Sequence, residues 1–294
     1  MSTSELKSTS GMNLQNRGLI AKRINRFLGY AVLILVTILV TVPVAGLILA
    51  SLKKDSEVMA YPIMILPPNP QWSNYLQVFV LTDFLTVAVR TFALAAGTTA
   101  IAVIVNSMVG FAFSRYRVPG SKQLFSIIIG LLIIPGIVTL IPQFLVYARL
   151  KMTGTYWPWI FGALAGSPFY IFLFRQFFST FPRELEEAAE VDGCSPFRIY
   201  AQIFMPNAQP IIAVAAFFLF GGVWGNYLEA LIYLRASNTL LGVVMATGFK
   251  NPQNITMTTI SMAANVIYIL PMVLVFFFAQ KNILKGVITS GLKG

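Results

Sequence analysis

Six apolar stretches, roughly 27–50, 88–113, 123–148, 157–179, 207–229 and 258–280, govern what this chain can fold into. Each is long enough to cross a hydrocarbon core of about 30 Å as a helix, which takes ~20 residues. In lipid the backbone polar groups must be satisfied within the protein, and runs this continuously apolar do so as helices. The sequence therefore predicts an all-α polytopic membrane protein with six transmembrane helices. Composition agrees: 57% of the 294 residues are hydrophobic and 11% are charged, where a soluble domain carries about 25% charged residues. The first stretch follows a long leader and exceeds a signal-peptide core, so it reads as a retained helix.

Several chemistries are excluded at once. There is no histidine and Cys194 is the one cysteine. No disulfide can form within the chain, the usual zinc and haem ligand sets cannot be assembled, and histidine acid–base catalysis is out. No GxxxxGK[ST] loop occurs, so ATP binding is not expected of this chain. No cofactor, metal or catalytic residue is expected. The net charge of +11 comes from bases scattered between apolar spans, a topology signal rather than a nucleic-acid surface.

Those bases orient the chain. One side takes Lys7, Arg17, Lys22, Arg23, Arg26, Arg115, Arg117, Lys122, Arg175, Arg183, Arg198, Lys281, Lys285 and Lys293. The other takes Lys53, Lys54, Arg90, Arg149, Lys151, Arg235 and Lys250, half as many. The positive-inside rule then places both termini in the cytoplasm of a cell with an inner membrane protein of this kind. Residues 1–26 read as an N-terminal cytoplasmic tail, 27–280 as the transmembrane domain and 281–294 as a C-terminal tail. In the first outer loop, "ILPPNPQWSNYLQVF" starts extended at its prolines and turns amphipathic at Tyr75, Val78 and Phe79, with Trp72 and Tyr75 suited to the interface. Pro43, Pro135, Pro142, Pro168 and Pro271 fall in spans; they are either tolerated kinks or hinges. Gly162 and Gly166 form a GxxxG that suits a close helix contact.

The segment 181–206 breaks the pattern. Half of the chain's acids lie between Glu184 and Asp192, and by orientation they face the cytoplasm. Phe181-Pro182-Arg183 leads into a helix-favouring run whose acids complement the positive end of the helix dipole. On a helix, Leu185, Ala188 and Ala189 share one face and Glu186, Glu187 and Glu190 another. Gly193 suits a left-handed stop, and Ser195-Pro196 an N-cap with first-turn proline. Phe197, Tyr200, Ile203 and Phe204 share a face of a second helix that ends near Pro206. The small residues allow close approach of another surface, so this helix–turn–helix suits docking; a solvated surface helix is the plainer alternative.

Glu187-Ala188-Ala189, three residues, Gly193, nine residues, then Ile203, Met205 and Pro206 resemble the EAA loop of ATP-binding-cassette (ABC) importer permeases, with Met205 in place of a leucine. "LPPNPQWSNY", "AFSRYRVPG" and "QKNILKGVITSGLKG" are similar to segments of the carbohydrate permeases related to the maltose transporter; "WGNYLEAL" is similar with altered order. The resemblance implies a type I importer fold, with coupling helices seated in a groove of a separate ATPase dimer. It implies that Glu187 makes the polar contact, Ala188 and Ala189 allow close approach, Gly193 sets the bend, and Asp192, Ile203 and Pro206 complete the motif. It also implies a second, related permease, an extracytoplasmic solute-binding protein, a sugar as substrate, and alternating access driven by ATP. The C-terminal tail then either contacts the ATPase or frays.

Polar residues in or near spans are candidates for the solute path: Asn106, Gln143, Asn226, Glu229 and Asn265, with Trp224 and Tyr227 able to stack on a sugar face. Amides between helices serve equally as interhelical hydrogen bonds. Two other classes compete. A membrane enzyme needs acids or nucleophiles gathered at the surface, and an ion-coupled secondary transporter needs intramembrane carboxylates or broken-helix ion sites. Within the ABC class, a polyol, glycerol phosphate or peptide is the alternative solute.

Overall fold

The computed structural model describes residues 3–251 and 253–291. Among them every named element is helical, and extended pairing is confined to the isolated bridge Lys250–Thr256. α1 (Thr3–Ser51) is followed by the single turn α2 (Asp55–Val58) and by α3 (Ser73–Leu81). Next come α4 (Phe84–Arg115), the pair α5 (Ser121–Leu131) and α6 (Gly136–Arg149), and the pair α7 (Trp157–Ala165) and α8 (Pro168–Phe178). The acidic segment forms α9 (Glu184–Val191), α10 (Pro196–Ile199) and α11 (Met205–Asn207). The chain closes with α12 (Gln209–Trp224), α13 (Leu228–Tyr233), α14 (Leu241–Thr247) and α15 (Thr258–Gly291).

Four segments are long and apolar enough to cross a membrane: Asn25–Ser51, Phe84–Arg115, Trp157–Phe178 and Thr258–Asn282. They coincide with the first, second, fourth and sixth expected spans. α1 runs on as helix through the boundary expected at residue 26. Residues 1, 2 and 292–294, the ends of the expected tails, lie outside the described residues, as do the side chains beyond Asn282.

The other two expected spans are bent pairs, long and apolar enough when each pair is taken together: α5 with α6, and Pro196–Asn207 with α12 at 81°. The stretch 123–148 is not one rod, because α5 and α6 meet at 100°. The break falls at Pro135, whose backbone is extended (ψ 133°). Its ring removes a backbone donor and keeps the residue before it out of the helical region. Hydropathy carries no direction; Pro135, one of the expected kinks or hinges, is the residue that marked the bend. Pro43, Pro142 and Pro271 stay inside helices, while Pro168 opens α8. The stretch 207–229 stops early, at Trp224. There the Asn226 carboxamide accepts the Ala230 N–H (3.0 Å) and starts α13.

The Gly162–Gly166 pair divides: nothing approaches the position of a Cβ on Gly162, while Gly166 (φ +76°), which ends α7, lies against α4, where a Cβ would sit 3.3 Å from Asn106 Oδ1 and 3.6 Å from Val105 Cγ1. A tighter helix approach lies at Gly110, where a Cβ would sit 2.7 Å from Phe174 Cβ and 2.9 Å from the Arg175 backbone nitrogen. Gly110 therefore sets the spacing of α4 and α8. Overpacking of this kind costs about 1–3 kcal/mol, so Gly110→Val is expected to lower the melting temperature of the solubilised protein. Gly162→Ala serves as the silent comparison.

α4 is the axis of the fold. Phe84 and Ala95 belong to a cluster with Val78, Phe220, Trp224, Leu241 and Ile260. Val103 and Phe111 join Phe174, Phe178, Tyr200 and Phe204. Leu94 joins Leu140, Trp159, Tyr233 and Leu240. The loop after α1 is tied back to it: Val78 on α3 is buried while Phe79 stays exposed, and Asn74 Nδ2 donates to the Ser51 and Lys53 carbonyls (2.8 and 2.9 Å).

Candidate functional site

Two features stand apart from the packed helices, the polar loop and a cleft. The loop is assembled from local signals. α9 ends at Asp192, and Gly193 adopts φ +75°, the left-handed value its position asked of it. Ser195 Oγ accepts the Arg198 N–H (3.4 Å) and Pro196 fills the first turn of α10. The turn chemistry was fully legible in the sequence.

The expected faces are corrected. Ala189 is only 5% exposed and packs among Phe178, Ile199, Tyr200 and Phe204. Glu186, one turn earlier, also faces inward, 3.8 Å from Arg115 Nη1. Leu185, Glu187, Ala188, Val191 and Asp192 are exposed. So Ala188 presents the small outward surface, whereas Ala189 anchors α9 to its own chain. The helical wheel had grouped Ala188 with Ala189 because it knows angle but not which side the core lies on. In the second helix Phe197 is 65% exposed while Tyr200 and Phe204 are buried. Tyr200–Phe204 is a π-helical turn, closed by the Met205 N–H on the Tyr200 carbonyl, so a 3.6-residue wheel drifts off register there. Ile203 is half-buried and Pro206 exposed.

Arg115, at the end of α4, clamps the inward side of the loop. Its Nη2 donates to the carbonyls of Phe178 (2.5 Å) and Phe181 (2.9 Å). Its guanidinium lies over the Phe204 ring, 4.6 Å from the centroid. Burial pushes the Glu186 carboxyl above the usual carboxylate range, although Arg115 pulls it back. The same burial lowers Arg115 from its ordinary value. A second tie joins the Ser107 and Tyr200 hydroxyls (2.7 Å). Sequence reasoning had counted Arg115 only as a topology base; nothing local in "AFSRYRVPG" marks a clamp.

The cleft, about 1070 Å³, lies among α4, the α5–α6 bend, α7 and α12–α13. Of the expected path residues, Asn106, Gln143 and Glu229 line it. Asn226 and Tyr227, with Glu229, line a smaller adjoining hollow of about 420 Å³. Asn106 is spoken for: Nδ2 donates to the Ala102 carbonyl (2.6 Å) and Oδ1 accepts the Ser167 N–H (2.7 Å), pinning the α7–α8 break. Asn226 Nδ2 donates to Glu229 Oε2 (2.7 Å).

Two candidates are displaced. Trp224 is 3% exposed, packed near-parallel to Phe220 and Tyr268 (centroids 5.9 and 5.6 Å), with Nε1 donating to the Tyr268 carbonyl (3.1 Å). A ring buried in this way offers no face to a sugar. Asn265 Nδ2 donates back to the Ser261 carbonyl of its own helix (2.8 Å) and lines neither hollow. The sequence missed Thr99, Trp159 and Tyr233, which line the cleft with side-chain polar atoms that are shielded and unpartnered. Such a group costs about 1–3 kcal/mol. In the sequence these residues look like ordinary apolar packing, and no local signal separates them.

The chain is thus a bundle of apolar helices with a wide cleft among them and a polar loop clamped to the central helix. Residues 102–289 match the family model described as binding-protein-dependent transport system inner membrane component. The chain belongs to that family. It is 30% identical to Protein LplC of Bacillus subtilis (strain 168), over 86% of this chain and 89% of that protein. It is 28% identical to the maltodextrin transport system permease protein MalD of Streptococcus pneumoniae, over 93% and 97%. It is also 28% identical to the arabinooligosaccharides transport system permease protein AraQ of Halalkalibacterium halodurans, over 86% and 91%. A bacterial ABC transporter that imports the acidic polysaccharide alginate has the same fold, with TM-score 0.76, 22% identity and coverage of 89% and 97%.

Proposed function

We propose that this chain is the membrane-spanning permease subunit of an ATP-driven importer for a carbohydrate. The loop 181–206 lies in the cytoplasm with both termini, as the lysine and arginine distribution supports. Its outer surface seats on a separate ATPase dimer. A second, related permease completes the pathway, and an extracytoplasmic binding protein delivers the solute. ATP closes the ATPase dimer, the loop moves with it, and the helices switch between inward-facing and outward-facing states.

One observation carries this reading. Glu187 and Ala188 stand exposed beside Leu185, Val191 and Phe197, which are 47%, 89% and 65% exposed. Large apolar side chains left open around a carboxylate on a polar loop fit a protein partner with a basic, apolar groove. The sugar assignment is supported by relatives that carry maltodextrin and arabinooligosaccharides in their names. The test is affinity purification of the tagged chain from its native membrane. A Walker-motif ATPase is expected in stoichiometric amount. Transport by the chain alone would reject the subunit assignment.

A further inference from the structure

The wall of the cleft has a distinctive chemical balance. Glu229 is the one carboxylate among its lining residues, and no lysine or arginine contributes. Four aromatic residues do: Tyr147, Trp159, Phe161 and Tyr233. The Tyr233 ring stands edge-on to Trp159 (5.7 Å, 70°) and to Tyr147 (5.6 Å, 77°). Trp159 and Tyr233 are 7% and 3% exposed, yet the indole N–H and the phenol oxygen have no partner. Glu229 receives Asn226 on Oε2, which leaves Oε1 as an acceptor.

These groups match one class of ligand. A pyranose or furanose offers apolar C–H faces to aromatic rings and hydroxyls that both donate and accept. A uronate adds a carboxylate, which calls for a cation or a set of charge-assisted donors. This wall supplies no cation and adds a carboxylate of its own.

We propose that this chain itself carries a solute subsite at Trp159, Tyr233 and Glu229, and that the subsite takes an uncharged sugar ring rather than a uronate. The proposal rests on the transport reading above. The volume of about 1070 Å³ lies just above the range of about 300–1000 Å³ for small-molecule sites, with room for more than one ring. In this conformation both donors are shut off from water, so a ring reaches them as the wall moves in the transport cycle.

A direct consequence separates binding from packing. Removing an unpartnered group relieves the resting fold, but it also removes a contact to solute. Tyr233→Phe keeps the ring in its cluster and deletes one oxygen. The experiment uses proteoliposomes holding the whole transporter with its binding protein, and labelled maltotriose, arabinotriose, galactotriose and trigalacturonate as probes. Uptake is expected for neutral probes only. In Tyr233→Phe, uptake at subsaturating probe is expected to fall about three- to tenfold, the weight of one uncharged hydrogen bond, while the melting temperature stays level or rises. Parental uptake by Tyr233→Phe overturns the subsite, as does a joint loss of uptake and stability, which marks a packing role. Trigalacturonate uptake at the neutral rate overturns the charge selection. Uptake of no probe, with ATP hydrolysis still stimulated by the binding protein, overturns the sugar ring. Absence of that stimulation in the parent undoes the transporter reading instead.

Discussion

Glu187→Lys is expected to abolish solute uptake while the chain inserts at parental abundance. Glu187 is exposed and makes no side-chain hydrogen bond or ion pair to the described residues of its own chain. Substitutions at such positions shift stability by only about 0.5 kcal/mol either way. On a partner surface, however, reversing a charge sets like against like, which costs several kcal/mol. The effect should therefore fall on docking and leave folding alone. Uptake into membrane vesicles, with abundance read by immunoblot, checks it; near-parental uptake would count against Glu187 as the polar contact.

Arg115→Met is expected to uncouple the transporter, with ATP hydrolysis retained and uptake reduced tenfold or more, and to destabilise it as well. Arg115 serves two backbone carbonyls, a ring face and a carboxylate at once. Breaking a buried ion pair typically costs about 3–5 kcal/mol because one charge is stranded. Burial raises the Glu186 carboxyl from its ordinary value, although Arg115 pulls it the other way, so the stranded acid is the less costly half of the pair. The same burial makes Glu186→Gln mild: the amide carries no charge to desolvate and Arg115 keeps its carbonyls. Thermal unfolding of the solubilised complex and ATP consumed per solute distinguish the two. Equal effects from both substitutions would show that the carbonyl contacts are not what holds the loop.

The contrast between these two residues shows what was legible in the sequence. Glu187 was singled out because the spacing of its segment resembles the EAA loop, and the turn at Gly193 and the cap at Ser195 followed from local backbone chemistry. All of these need only neighbouring residues. Arg115, Trp159 and Tyr233 depend on partners far along the chain, and nothing near them in sequence separates a clamp or an unpaired donor from ordinary packing. Apolar runs located helices well where no break intervened. They gave no direction at Pro135, where the proline itself was the signal, and overran the end of α12 at Trp224. Trp224 shows the converse error: an aromatic beside polar neighbours suggested sugar stacking, yet the ring is buried against Phe220 and Tyr268.

The length of α4 has a mechanical consequence. It is unbroken by proline from Phe84 to Arg115, and Gly110, where α8 comes too close for a Cβ, lies near one end. At 1.5 Å per residue, Arg115 is about 7.5 Å from that point and Thr91 about 28 Å. Thr91 holds the far segment, its hydroxyl accepting the Leu241 N–H (2.9 Å). If Gly110 is the fulcrum, the arms are unequal by roughly fourfold. A shift of ~1 Å imposed at the Arg115 end would then sweep Thr91 through ~4 Å, a gear ratio that turns a small push into a large opening.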